Sequence, residues 1–410
     1  MSMHDSRRDD FIIAAAGALP VVWIGLKIAP YWRRSVFVLI TRFDEIFADP
    51  FHIQWTEHSL QAVLFCLLVY AMGIGIWIST RRNYRRGEEH GSAKWGDARA
   101  VNRKYRQKPD SMNKILTQNV RIGFDGHKHR RNLNVMVIGG SGAGKTRGYV
   151  KPNVMQAAFA PDPGFSMILT DPKGELCLST GKMLEDAGYK VKVLDLIDMS
   201  RSHCYNPFVY LRNDNDVQRL VTNLFKATTP KGATSSDPFW DTAAQMLLLA
   251  LIFYLKYEAP EEEQNFAMVM EMLRAGEVDE EDSKAMSALD TLFYDLRKTD
   301  PDHIALKYYD AYHSGSGKTL KSIQITLAAR LEKFNLESVA GLTITDELEL
   351  WKIGEEKTAL FAIIPDNDTS FNFLISLLYS QLFQQLFEVA DKKYGGRLPL
   401  HVQFLMDEFP

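Results

Sequence analysis

Cysteine is nearly missing from this sequence: Cys66, Cys177 and Cys204 are the only three in 410 residues. None stands in a CxxC pair, and the one close histidine is His203, directly beside Cys204. A zinc cluster or a disulfide framework is therefore not what organises the chain. The three read as free thiols of a reduced compartment, with Cys66 inside an apolar run and buried in a membrane. An excess of charge of one sign is also missing. Lys and Arg total 48 against 51 Asp and Glu, a net −3, so no overall basic field advertises nucleic acid. A motor that keeps its basic residues in one channel is still compatible with that balance. With 46% hydrophobic and 24% charged residues, the chain is globular and long enough for two to three domains.

Two long runs lack a polar face. Phe11–Pro30 reads FIIAAAGALPVVWIGLKIAP, and Leu60–Ile78 reads LQAVLFCLLVYAMGIGIWI with no charge. Each has the length that crosses a bilayer as a helix. No small-residue cleavage site follows Pro30, so the first run is a retained span, not a signal peptide. Arg7 and Arg8 precede the first span, and Arg81, Arg82, Arg85 and Arg86 follow the second. They outweigh Arg33, Arg34 and Arg42 of the intervening loop, so both termini are expected inside. The expected anchor is 1–86, with spans at about 11–30 and 59–79.

Beyond the anchor, Asn134–Ile138 (NVMVI) reads as a buried strand, and GGSGAGKT follows at once. The octet Gly139, Gly140, Ser141, Gly142, Ala143, Gly144, Lys145, Thr146 satisfies G-x-x-x-x-G-K-[ST] in full. Its glycines let backbone N–H groups cradle phosphates, Lys145 reaches the β- and γ-phosphates, and Thr146 ligates Mg²⁺. The helix that follows turns its positive end to the same anion. A second strand, His401–Met406, runs into Asp407 and Glu408. Asp407 is the expected partner of Thr146 in holding Mg²⁺, and Glu408 is placed to polarise an attacking water. Lys145 and Glu408 are thus the catalytic candidates, and ATP with Mg²⁺ the expected ligands. No LSGGQ-type signature accompanies the loop, which disfavours a small-molecule transporter.

Three smaller features compete with bland readings. GSGKT at 315–319 lacks the first loop glycine, with Tyr312 in its place, and reads as a loop opening a helix; the alternative is a basic contact through Lys318 and Lys321. Asp171, Lys173 and Glu175 of DPKGE follow strand 165–170, either as turn chemistry or as a contact to nucleotide or a neighbouring subunit. Tyr205-Asn206-Pro207-Phe208 reads as a structural turn.

Strands at 134–138, 165–170 and 190–196 alternate with helices near 145–158 and 175–188, the rhythm of a parallel sheet. From 212 to 345 the pattern is helical throughout, with acidic loops at 261–263 and 277–282, and the run Met246–Leu255 reads as a core helix. Strand 358–364, helix 370–390 and strand 401–406 resume the sheet. The expectation is an α/β nucleotide-binding domain, 87–211 with 346–410, carrying an all-helical insertion at 212–345.

Taken in order, the two spans, GSAKWGDAR at 91–99, NLNVMVIGGSGAGKTRGYVKPN, ILTDPKGEL, YNPF, SGSGKTLKSI and LMDEF resemble the coupling ATPases of type IV secretion and conjugation, the TraG-like family, over nearly the whole chain. The resemblance implies a RecA-like P-loop NTPase core and a ring, usually a homohexamer, at the inner mouth of a secretion channel. It implies ATP-driven delivery of a relaxase–DNA complex, hence of single-stranded DNA, to the channel proteins from the cytoplasmic face of a bacterial membrane. It also implies that the family continues past LMDEF with a strand that lies between 134–138 and 401–406, so that this chain is partial. Alternatives are an FtsK-like DNA translocase and a cargo-recruiting receptor with little motor activity.

Overall fold

A computed structural model describes residues 3–32, 39, 41–80, 96–229, 238–277 and 286–408. Arg33, Arg34, the arginines at 81–86, residues 91–95 of the GSAKW segment and residues 278–282 of the acidic loop lie outside the described residues. The chain forms two units, Met1–Trp95 and Gly96–Pro410.

In the first unit, helices α1 (Met3–Ile28) and α3 (Ser59–Thr80) pack against each other, with the short helix α2 (Phe43–Phe47) between them in sequence. Small residues set the closeness of α1 and α3. A methyl group on Gly25 would stand 2.8 Å from the Val63 Cα, and one on Gly17 would meet the Tyr70 hydroxyl at 2.1 Å. The Tyr70 hydroxyl donates to the Ala14 carbonyl at 3.0 Å. Glycine at a helix–helix contact lets backbones approach where lipid provides no hydrophobic drive, and a donated hydroxyl adds to it.

The second unit opens with α4 (Ala98–Tyr105), capped by the Asp97 carboxylate, which accepts from the N–H groups of Arg99 and Ala100. A hairpin of β1 (Asn113–Thr117) and β2 (Val120–Gly123) follows, then a single turn, α5 (Gly126–His129). The main sheet has the strand order β4–β5–β3–β6 and is parallel throughout, with β3 Phe165–Pro172, β4 Lys190–Asp195, β5 Thr358–Ile364 and β6 His401–Met406. Alternation along the strands explains its two covered faces. Phe165, Met167 and Leu169 of β3 join Ala359, Phe361 and Ile363 of β5 in one core, closed by α6 (Lys151–Ala157) and α7 (Glu175–Asp186). Ile168, Leu360, Ala362 and Ile364 point the other way, into a larger core.

That larger core is built by helices α8 (Asp214–Thr228), α9 (Pro238–Glu258), α10 (Phe266–Ala275), α11 (Ala288–Thr299), α12 (Ile304–His313), α13 (Gly317–Leu331) and α14 (Glu337–Ile344), with α15 (Asn372–Tyr394) between β5 and β6. No strand occurs among the described residues between β4 and β5. The apolar run Met246–Leu255 lies inside α9, which at 21 residues is long and apolar enough to cross a membrane. It is instead walled in by protein: 56% of this helix is buried, against 17% and 11% for Ala14–Tyr31 and Ser59–Trp77. The YNPF segment is a capped turn, with the Asn206 side chain accepting from the Phe208 N–H at 3.0 Å and Tyr205 and Phe208 buried.

One strand expectation fails. Asn134–Ile138 is not a strand, and Met136 and Ile138 are 86% and 85% exposed. An apolar run becomes a buried strand only where a ladder partner waits for its N–H and C=O groups. The outer edge of β6 pairs with no strand among the described residues, so nothing receives this segment.

Candidate nucleotide site

Gly139–Thr146 forms a loop that opens into a helical stretch, first a π-type turn at Thr146–Val150 and then α6. Gly142 and Gly144 take φ of +72° and +80°, backbone that side-chain-bearing residues rarely adopt. A methyl group at Gly139 would crowd Ala143 Cβ at 3.1 Å and Lys145 Cγ at 3.4 Å. The Lys145 ammonium curls back over this turn and donates to the carbonyls of Gly139 (3.1 Å) and Gly140 (3.3 Å). A cation resting on two neutral carbonyls in an exposed loop is readily exchanged for a phosphate, since charge-assisted bonds are roughly twice as strong as neutral ones.

Thr146 and Asp407 come together across 261 residues of chain, the threonine hydroxyl donating to the Asp407 carboxylate. Asp407 is buried at the end of β6, and Glu408 follows it, exposed and with φ of +47°. A hydroxyl and a carboxylate side by side are the hard oxygen donors Mg²⁺ takes in phosphate sites. The donor set and the glycine cradle thus fit a magnesium–nucleotide.

The DPKGE corner sits at the same edge of the sheet. The β3–β6 register pairs Thr170 with Met406, so Asp171 and Asp407 are the next residues on adjacent strands. Asp171 is 1% exposed, and both its oxygens are spent on the first turn of α7: the Leu176 N–H donates at 3.0 Å and the Cys177 N–H at 2.7 Å. Burial pushes its pKa up, against those two bonds, and the negative charges of Glu175 and Asp407 push the same way. Lys173 has φ of +68° and donates its N–H to the Ile364 carbonyl at 3.2 Å. Its ammonium pairs with Asp366, which raises its pKa, and the Glu175 and Glu408 carboxylates add to the rise. Glu175 is exposed at the start of α7. Burial pushes the Cys177 thiol up to about 11, which keeps it protonated and inert.

Of the residues singled out in the sequence, Thr146 and Asp407 meet directly, Lys145 rests on its own loop, and Glu408 lies next to Asp407. Asp366 escaped sequence reasoning. Its one signal was an aspartate pair, PDND, just past an apolar strand. GSGKT at 315–319 is the opening of α13, where the Ser316 and Thr319 hydroxyls share a hydrogen bond of 2.9 Å and Lys321 pairs with Glu277 at 2.9 Å.

No curated protein matches the sequence. Among solved structures, the unbound conjugative coupling protein TrwBdeltaN70 is 17% identical, with a TM-score of 0.48 over 76% of this chain and 70% of that one. TrwB in complex with the ATP analogue ADPNP is 18% identical, with a TM-score of 0.49 over 77% of this chain and 64% of that one. TrwB in complex with ADP and Mg²⁺ is 18% identical, with a TM-score of 0.48 over 76% and 70%. The family model for type IV secretory system conjugative DNA transfer matches residues 92–410, and the chain belongs to that family.

Proposed function

We propose that this chain is a membrane-anchored ATPase that couples a relaxase–DNA substrate to a type IV secretion channel. The observation that carries the reading is the meeting of Thr146 and Asp407 beside a complete glycine cradle. Lys145 leaves the Gly139 and Gly140 carbonyls for the β- and γ-phosphates of ATP. Thr146 Oγ1 and Asp407 would hold Mg²⁺, which spreads the charge of the transferring phosphoryl group. Glu408, exposed at the strand end, accepts the proton of the attacking water. Asp171 is a positioning residue: it fixes the start of α7 against the edge that carries Asp407. The domain division follows the same reading, with 1–86 as anchor, 87–211 and 346–410 as the RecA-like nucleotide domain, and 212–345 as the helical insertion. Both termini face the cytoplasm of a bacterial cell, and the working form is a homohexamer.

ATP turnover of the protein in detergent, with and without single-stranded DNA, tests the proposal. Stimulation by DNA, lost in Glu408→Gln while nucleotide still binds, is the expected result. Turnover indifferent to DNA, with cargo still bound, would replace the motor by a receptor.

A further inference from the structure

The loop between the two spans does not stand clear of α1. The Lys27 ammonium, 6% exposed, donates to the His52 carbonyl at 2.6 Å and also to the Asp49 carbonyl. The Trp23 indole N–H donates to the Pro50 carbonyl at 3.0 Å. Trp23 precedes the end of α1 at Ile28 by about 7.5 Å of helix, at 1.5 Å per residue. Residues 49–52 therefore lie alongside the last turns of a helix whose window Ala14–Tyr31 is apolar enough to cross a membrane. Non-helical backbone at that depth survives only where its carbonyls find donors within the protein. Three carbonyls that would otherwise bear that penalty, those of Asp49, Pro50 and His52, are the ones α1 satisfies.

The same fold leaves an apolar recess. A cavity of about 470 Å³ is lined by Trp23, Ile24, Ile28, Leu39, Phe43, Ile46 and Phe47. The Trp23 and Phe47 rings lie 5.7 Å apart. In the same loop Phe51 is 92% exposed, Trp55 78% and Phe43 58%. Glu45, His52 and Gln54 gather with Lys27 around a separate polar hollow. An apolar recess at span depth, walled by aromatic and branched aliphatic side chains, has the chemistry that receives a hydrocarbon chain.

We propose that this recess takes an acyl chain of a phospholipid in the leaflet that meets the 31–58 loop, with Phe51 and Trp55 seated in that leaflet. The proposal rests on the two-span reading above. The full chain is reconstituted in vesicles of phosphatidylethanolamine and phosphatidylglycerol carrying a trace of phospholipid with a photoreactive diazirine on its acyl chain. After illumination, labelled peptides are located by mass spectrometry. Label is expected both on Ser59–Trp77, which reports insertion, and on Phe43–Phe51. Ile24→Trp narrows the recess and should lower the label on Phe43–Phe51 roughly tenfold, the worth of about two displaced methylenes, with Ser59–Trp77 unchanged. Lys27→Met, which keeps an apolar stem but drops the donors, should lower the label on Phe51. Label on Ser59–Trp77 with none on Phe43–Phe51 would overturn the proposal. So would unchanged label in Ile24→Trp, or crosslinks from Phe43–Phe51 to protein in place of lipid. Absence of label from both segments would overturn the spans themselves.

Discussion

At the scale of single residues, the function proposed above requires charges that change partners when nucleotide arrives. Lys145 holds two carbonyls in this structure, and each such bond is weak against a phosphate contact. Losing a charge-assisted hydrogen bond costs about 1.5–3 kcal/mol, so Lys145→Ala should weaken nucleotide binding by roughly tenfold to a hundredfold or more. Binding of a fluorescent ATP analogue measures this, and wild-type affinity in the variant would remove Lys145 from the site. His401, at the start of β6, brings a pH dependence of its own. Its ring stacks on Phe124 at 4.6 Å. Burial, then the charges of Lys114 and Arg397, hold its pKa down at about 4, against an ordinary 6.5. The folded state therefore binds that proton less readily than the unfolded one. The stability His401 confers is full above pH 6.5 and is lost as pH falls towards 4, at most about 3 kcal/mol. His401→Phe should flatten urea-unfolding stability across that window; an unchanged slope would show that another group titrates there.

At the scale of elements, apolar residues in the sequence told where β3, β4, β5 and β6 lie: β3 and β5 are buried on both faces, and the edge strands β4 and β6 each have a neighbour to pair with. The same signal misplaced Asn134–Ile138, since composition reports what a segment would bury and says nothing about whether a partner edge exists. Thr146 and Asp407 were legible as a pair because strand, loop and carboxylate each leave a local mark. The Lys173–Asp366 ion pair was not, for its two halves sit after strands whose adjacency only the sheet reveals. The span pair offers a test of its own. A side chain at Gly25 strikes the Val63 backbone, whereas one at Gly73 meets nothing within 4 Å. Overpacking of this kind costs about 1–3 kcal/mol. Gly25→Leu should speed protease cleavage of the 31–58 loop in detergent by about thirtyfold at the middle of that range, and Gly73→Leu should not. Equal cleavage of the two variants would mean that α1 and α3 do not pack as described.

At the scale of the whole molecule, two apolar helices precede the nucleotide unit, and the arginines around them set the expected orientation. A tag within 43–56 should be reached by a protease added outside intact cells, and tags at residue 1 or 90 should be protected. External cleavage at residue 90 would reverse the topology. A different consequence follows from the hydrogen bond between Thr146 and Asp407, which spans 261 residues. A ribosome adding roughly 5–20 residues per second makes Asp407 about 13–50 s after Thr146. Through that interval the glycine loop is already synthesised, but its carboxylate partner does not yet exist. The growing chain can therefore assemble its helices before the Thr146–Asp407 pair exists, and that pair closes only once β6 has been made and has docked beside β3.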